Sequence, residues 1–245
     1  MDTKSFLKVD IEQIPPKPMY VLIVEPEDIA GDAPVLLFLH GKGEAGVSEN
    51  EVPKVLLHLS PPFQAIQGHL RNVTVVAPLA PHNPGPKGEN PEPHWNWREH
   101  VDVLHEYMKR RFSQRMLLAT GFSRGGLGIL QLLEKDSGLF AKWALVDPQR
   151  ASDADEEKRR LVDVLDVNAQ GWLIYGENEE GNGMPAKDWR HENKLFSDLL
   201  AARLGPEHSL YFGFKLSHPE MARRAHIGEE FNGLEDMYTF LGLTT

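Results

Sequence analysis

Residues Met116-Leu117-Leu118-Ala119-Thr120-Gly121-Phe122-Ser123-Arg124-Gly125-Gly126 decide how this chain is read. The apolar run 116–120 has the composition of a buried strand, and the stretch 126–135 that follows repeats Leu127, Leu130 and Leu133 at helical spacing. Between them, Gly121-Phe122-Ser123-Arg124-Gly125 forms a sharp strand-to-helix turn with a serine at its apex. A serine hydroxyl is a weak nucleophile unless a strained turn presents it to a base and places the next backbone N–H where an oxyanion forms. The flanking glycines accept backbone crowding that a Cβ would resist.

Working outward, strands are expected at 19–24, 35–39, 73–77, 143–147, 172–175 and 210–214, each an apolar or β-branched run bounded by turn residues. Helices are expected at 100–112, 156–165, 189–204 and 234–241, the third closed by Gly205-Pro206. Strands alternating with helices predict an α/β fold with a mostly parallel sheet covered on both faces. With no internal repeat and no interdomain linker, residues 1–245 read as one domain. Only one short helix fits between 147 and 172, so the expected lid is minimal or absent. The proline- and glycine-rich stretch 80–94 reads as a long loop bordering a site.

Composition narrows the function further. A net charge of −10 argues against sequence-independent nucleic-acid binding, which depends on basic surface. No apolar run approaches the ~20 residues that span a bilayer, and the first ten residues lack a secretory-signal core, so no membrane insertion is expected. The absence of cysteine excludes thiolate chemistry and agrees with a cytoplasmic location. No histidine pair has the spacing of a metal site, so neither metal nor other cofactor is expected. A small-molecule ester is the expected substrate; assembly as a homodimer stays open.

A second motif supports the first. His40-Gly41-Lys42-Gly43-Glu44 directly follows the strand 35–39. Acyl transfer needs two backbone N–H groups aimed at the developing oxyanion, one after the nucleophile and one from a glycine-rich loop. Here those are the N–H groups of Arg124 and Lys42, with Gly41 beside the substrate.

Taken with Val76-Ala77-Pro78, the loop ending near Trp95, and 115–126, these residues resemble the α/β-hydrolase superfamily. The resemblance is to its branch of esterases, predicted peptidases and polyhydroxybutyrate-depolymerase-like enzymes, and it runs over most of 19–241. It implies an α/β-hydrolase fold and a serine hydrolase of carboxylesterase type that forms an acyl-enzyme on Ser123. It also implies a triad in the order serine, acid, histidine. The acid expected in the loop after 172–175 is Glu179, where relatives commonly carry aspartate; Glu177, Glu180 and Asp147 are alternatives. The base follows the strand 210–214 and is His226 in preference to His218. The other nine histidines are read as structural or exposed. Trp95 is assigned to the substrate side of the pocket; Trp97 could wall it too, although a tryptophan is more often a core residue.

Two other readings compete. Gly121-x-Ser123-x-x-Gly126, with Asp147 about twenty residues later, imitates a dinucleotide-binding unit of an oxidoreductase. Its serine occupies the place where a pyrophosphate needs glycine. A catalytically inert hydrolase-fold binding protein is the other, suggested by the glutamate at the acid position.

Overall fold

The computed structural model describes residues 7–15, 19–81, 97–148, 154–166, 168–176, 186–206, 209–212, 218–228 and 236–243. Among them runs one eight-stranded sheet. Its strands are β1 (Leu7–Ile14), β2 (Met19–Pro26), β3 (Val35–Leu39), β4 (Thr74–Leu79), β5 (Leu117–Phe122), β6 (Lys142–Val146), β7 (Gln170–Gly176) and β8 (Ser209–Phe212), in the spatial order β1-β2-β4-β3-β5-β6-β7-β8. The pairs β1/β2 and β2/β4 are antiparallel, and every pair from β4 to β8 is parallel. The crossover between β3 and β4 reverses the direction in which strands are added, and β5 therefore lies beside β3 at the sheet centre.

Helices are α1 (Pro61–Ile66), α2 (Val101–Arg111), α3 (Arg124–Lys135), α4 (Ala154–Asp163), α5 (Ala186–Leu204), α6 (His218–His226) and α7 (Met237–Leu241). Successive side chains of a strand face opposite sides, and the core splits accordingly. Val35, Leu37 and Leu39 of β3 pack with α2, α3 and α5, while Leu36 and Phe38 pack with α6 and α7. Buried strands with apolar residues on both faces are what a parallel sheet requires, and β3, β4 and β5 are buried along their whole length.

Each expected strand is present within a few residues, and one short helix, α4, lies between β6 and β7. Four elements go beyond the sequence reading. β1 is an additional edge strand whose Val9 and Ile11 are exposed, so its alternation of apolar and charged residues does not mark a core face. Charged edge residues such as Lys8 and Asp10 discourage pairing with another chain. A 3-10 segment, Glu49–Leu59, and α1 cover the sheet between β3 and β4. Finally, the two candidate bases, His218 and His226, are the first and last residues of one helix, α6.

Candidate active site

β5 ends in a turn that places Ser123 at φ 57 and ψ −121 before α3 begins. A residue with a Cβ is strained at positive φ, typically by about 1–3 kcal/mol, and persists there only where its surroundings hold it. The N–H of Ser123 donates to Val146 O at 3.0 Å, and its carbonyl accepts from the Gly126 N–H at 3.0 Å. Gly125 makes the turn feasible: a Cβ there would stand 1.8 Å from the Leu39 carbonyl oxygen. That glycine serves the packing of α3 against β3, and Gly126, the last glycine of the Gly121-x-Ser123-x-x-Gly126 pattern, is held by packing as well, since a Cβ there would stand 2.8 Å from Pro148 Cβ.

After β3 the chain passes directly beside this serine. The point where a Gly41 Cβ would stand is 3.2 Å from Ser123 Cβ. His40 is buried and fixes the loop. Its Nε2 accepts from the Ala80 N–H at 2.9 Å, so Nδ1 carries the proton and donates to Gly41 O at 2.7 Å. Burial lowers the His40 pKa, against the pull of Glu44, and keeps the imidazole neutral in this role. Because a trans peptide points its C=O and N–H in opposite directions, the Lys42 N–H is directed away from His40. Trp97, for which a pocket wall and a core position were both open, is a core residue: it is 2% exposed and its Nε1–H donates to His40 O at 3.2 Å.

Three further titratable groups adjoin this loop. Glu44, in the 3-10 turn Lys42–Glu44, accepts from His58 Nε2–H at 3.0 Å through Oε1. Its Oε2 is buried and has no hydrogen-bond partner among the described residues, although it lies 3.2 Å from the Gly41 Cβ point and 3.8 Å from His40 Nδ1. Burial alone would raise the Glu44 carboxyl; the hydrogen bond from His58, with the two imidazoles beside it, outweighs burial and holds the carboxyl below its ordinary value. His226 is 0% exposed, with its ring edge-on to Phe38 at 5.4 Å and Phe122 at 6.2 Å. Its Nδ1–H donates to the His58 carbonyl at 3.1 Å, while Nε2 has no partner among the described residues. Complete burial pushes its pKa down to about 4. Tyr238 Oη–H donates to the His226 carbonyl at 2.8 Å.

The structure thus brings Ser123, Gly41, Lys42 and Arg124 together, the last two opening the 3-10 turn and α3. It does not hydrogen-bond Ser123 to His226, whose Nδ1–H is on the His58 carbonyl and whose Nε2 has no partner among the described residues. Since α6 is nine residues long, His218 and His226 begin and end it roughly 12 Å apart along its axis, so the two cannot occupy one position beside Ser123. Asp147 follows Val146, the acceptor of the Ser123 N–H. It is fully buried at φ 44, with its own N–H on Ile174 O at 2.7 Å. Glu177, Glu179, Glu180 and Trp95, like the side chain of His218, lie outside the described residues. Sequence reasoning did not single out Glu44 or His58. Glu44 stands inside the quoted loop motif, whereas no local pattern marks His58. Among the described residues no group of three or more candidate ligands could hold a metal ion, and no helix is long and apolar enough to cross a membrane.

No family model matches the chain, and neither does any curated protein. Solved structures do. An IroE-like serine hydrolase from Shewanella oneidensis is similar at 15% identity and TM-score 0.63, over 90% of this chain and 78% of that one. A ferulic acid esterase is similar at 14% identity and TM-score 0.55, over 92% and 96%. A thermostable esterase is similar at 18% identity and TM-score 0.52 over 88% of this chain, which spans 58% of that esterase's length. At such identities likeness establishes architecture alone, and that architecture, with its central parallel strands and its serine-bearing turn between β5 and α3, is the α/β-hydrolase fold.

Proposed function

We propose that this protein is a serine hydrolase that cleaves a carboxylic ester of a small molecule through an acyl-enzyme on Ser123. The observation that carries the proposal is the strained φ of Ser123 at the apex of the β5–α3 turn, directly against the loop that follows His40. Strain at a nucleophile is stored where it exposes the hydroxyl to reaction. The names of the similar structures, an IroE-like serine hydrolase and two esterases, support the same reading.

In this mechanism a histidine takes the Ser123 proton as Oγ attacks the ester carbonyl. The N–H groups of Arg124 and Lys42 hold the oxyanion, and the histidine returns the proton to the departing alcohol as the C–O bond breaks. Water, deprotonated by the same histidine, then attacks the acyl-enzyme, releasing the acid and restoring Ser123. His226 and His218 both satisfy the order serine, acid, histidine; the proposed base is His226, and the proposed orienting acid is Glu179. His226 offers a deprotonated Nε2, since Nδ1–H is committed to the His58 carbonyl. Its complete burial favours a second reading, in which His218 at the other end of α6 is the base, because a sealed imidazole cannot hand a proton to a leaving group.

A fluorophosphonate probe and 4-nitrophenyl esters test both levels. Wild-type protein should be labelled and should turn over the esters. Ser123→Ala should lose labelling and at least about 10⁴-fold in kcat. Unlabelled wild-type protein would favour an inert binding protein, and Ser123→Ala that still hydrolyses esters would sink the assignment. Of His218→Ala and His226→Ala, the variant lacking the base should lose about 10³-fold or more in kcat with an unchanged fold.

A further inference from the structure

The Glu49–Leu59 segment ends in an unusual way. His58 stands at φ 57 and ψ 30, and Leu59 follows at φ 53. Two consecutive residues with side chains in the left-handed region persist only where the surroundings hold them. Here they are braced from several sides. His226 Nδ1–H donates to His58 O at 3.1 Å, and Gln64 Nε2–H donates to Leu59 O at 2.8 Å. Ser60 bridges back to the same segment, its N–H on Leu57 O at 3.2 Å and its Oγ–H on Val55 O at 2.6 Å.

The braced kink carries the His58 ring against Phe122, the residue before Ser123, with centroids 5.6 Å apart. Glu44 then sets its chemistry. Because Nε2–H donates to Oε1, the proton of the neutral ring is on Nε2 and the lone pair is on Nδ1. That Nδ1 has no hydrogen-bond partner among the described residues, and the side chain is 28% exposed. The second Glu44 oxygen, buried and unpartnered, lies across Gly41 from Ser123. An oriented imidazole packed on the residue before Ser123, with one acceptor nitrogen unused and reachable, is a recognition element for a hydrogen-bond donor.

We propose that His58 contacts the substrate, accepting through Nδ1 a hydrogen bond from a hydroxyl group near the scissile carbonyl, and that Glu44 is the positioning residue that fixes its tautomer. The inference rests on Ser123 being the nucleophile and specifies the substrate class: esters hydroxylated close to the bond that breaks.

Paired substrates test it: 4-nitrophenyl propionate against 4-nitrophenyl 3-hydroxypropionate for the acyl side, and propyl butyrate against 2,3-dihydroxypropyl butyrate for the alcohol side. Wild-type protein should favour the hydroxylated member of one pair by about tenfold or more in kcat/KM, the scale of one hydrogen bond to a buried site. His58→Asn, chosen because asparagine tolerates the left-handed backbone, should bring that ratio to within about threefold of one. Glu44→Gln should reduce the ratio, and should change it no further when combined with His58→Asn. Absence of preference in both pairs of the wild type, or a preference that survives His58→Asn, overturns the inference. So does a Glu44→Gln effect that persists in the His58→Asn background, since Glu44 would then act through His40 or His226. If His58→Asn fails to fold, Glu44→Gln alone decides, an unchanged ratio overturning the proposal. Fluorophosphonate labelling that is absent from the wild type, or retained by Ser123→Ala, would instead defeat the nucleophile assignment on which this rests.

Discussion

The two sides of the site are built in different ways. On the nucleophile side, Ser123, Gly125, Leu39, His40 and Gly41 are joined by contacts between backbone atoms or between a ring and the peptide next to it. On the histidine side, His226, His58 and Glu44 meet only because α6, the Glu49–Leu59 segment and the turn after β3 pack together. Their sequence separations show it: 168 residues part His226 from His58. The first arrangement leaves little freedom, since moving any atom breaks the turn. The second is set by how separate elements dock, and so two histidines at opposite ends of one helix compete for one role.

The largest effect that would break this contrast lies on the nucleophile side. Gly125→Ala forces a Cβ to within 1.8 Å of the Leu39 carbonyl oxygen, so α3 must shift or the turn must open. Destabilisation of about 3 kcal/mol or more is expected, read from the urea midpoint, together with loss of fluorophosphonate labelling. Gly125→Ala of near wild-type stability would show the turn to be looser than described.

On the histidine side the expected signature is a pH dependence of comparable size. The unfolded chain protonates His226 near its ordinary value of 6.5, whereas the folded protein holds it neutral down to about 4. The unfolded state therefore binds the extra proton between those values, and stability falls as pH drops from about 6.5 to about 4. The loss amounts to about 3 kcal/mol for this group alone. His40, lowered by burial, acts with the same sign. Glu44, held below its ordinary carboxyl value, contributes stability above its unfolded pKa that disappears as pH falls through the folded one. Urea titrations at pH 7 and pH 5 should show a smaller difference in His226→Gln than in wild type; an unchanged difference would mean that His226 is not the buried neutral group described.

The smallest effect separates strain from chemistry at Ser123. Glycine adopts φ 57 without penalty and alanine does not. If Ser123 is the nucleophile both variants lack activity, so stability is what distinguishes them, and Ser123→Gly should exceed Ser123→Ala by about 1 kcal/mol in chemical denaturation. Equal stabilities would mean that the turn is unstrained.

Legibility in the sequence follows the same division. β3, β5 and α3 are readable because their apolar periodicity and flanking glycines are local, and His40-Gly41-Lys42 could be placed beside Ser123 because strand order in a parallel α/β sheet is constrained. β1 escaped because alternation normally signals a buried face, and here the exposed residues include Val9 and Ile11. Trp97 illustrates a different limit. Its position at the end of a proline-rich loop suggested a pocket wall, yet its ring fills the space over α3 and its N–H secures His40.

What the sequence by itself determined is the local geometry around Ser123: strand, turn, glycines and helix are consecutive residues whose steric demands favour one arrangement. Only the tertiary structure decided which distant groups surround it. It put His226 out of solvent, bent His58 into the left-handed region and set Glu44 between His58 and Gly41. The reason is physical: the burial and partners of a titratable side chain are set by packing between elements far apart in the chain, and no local spacing encodes them.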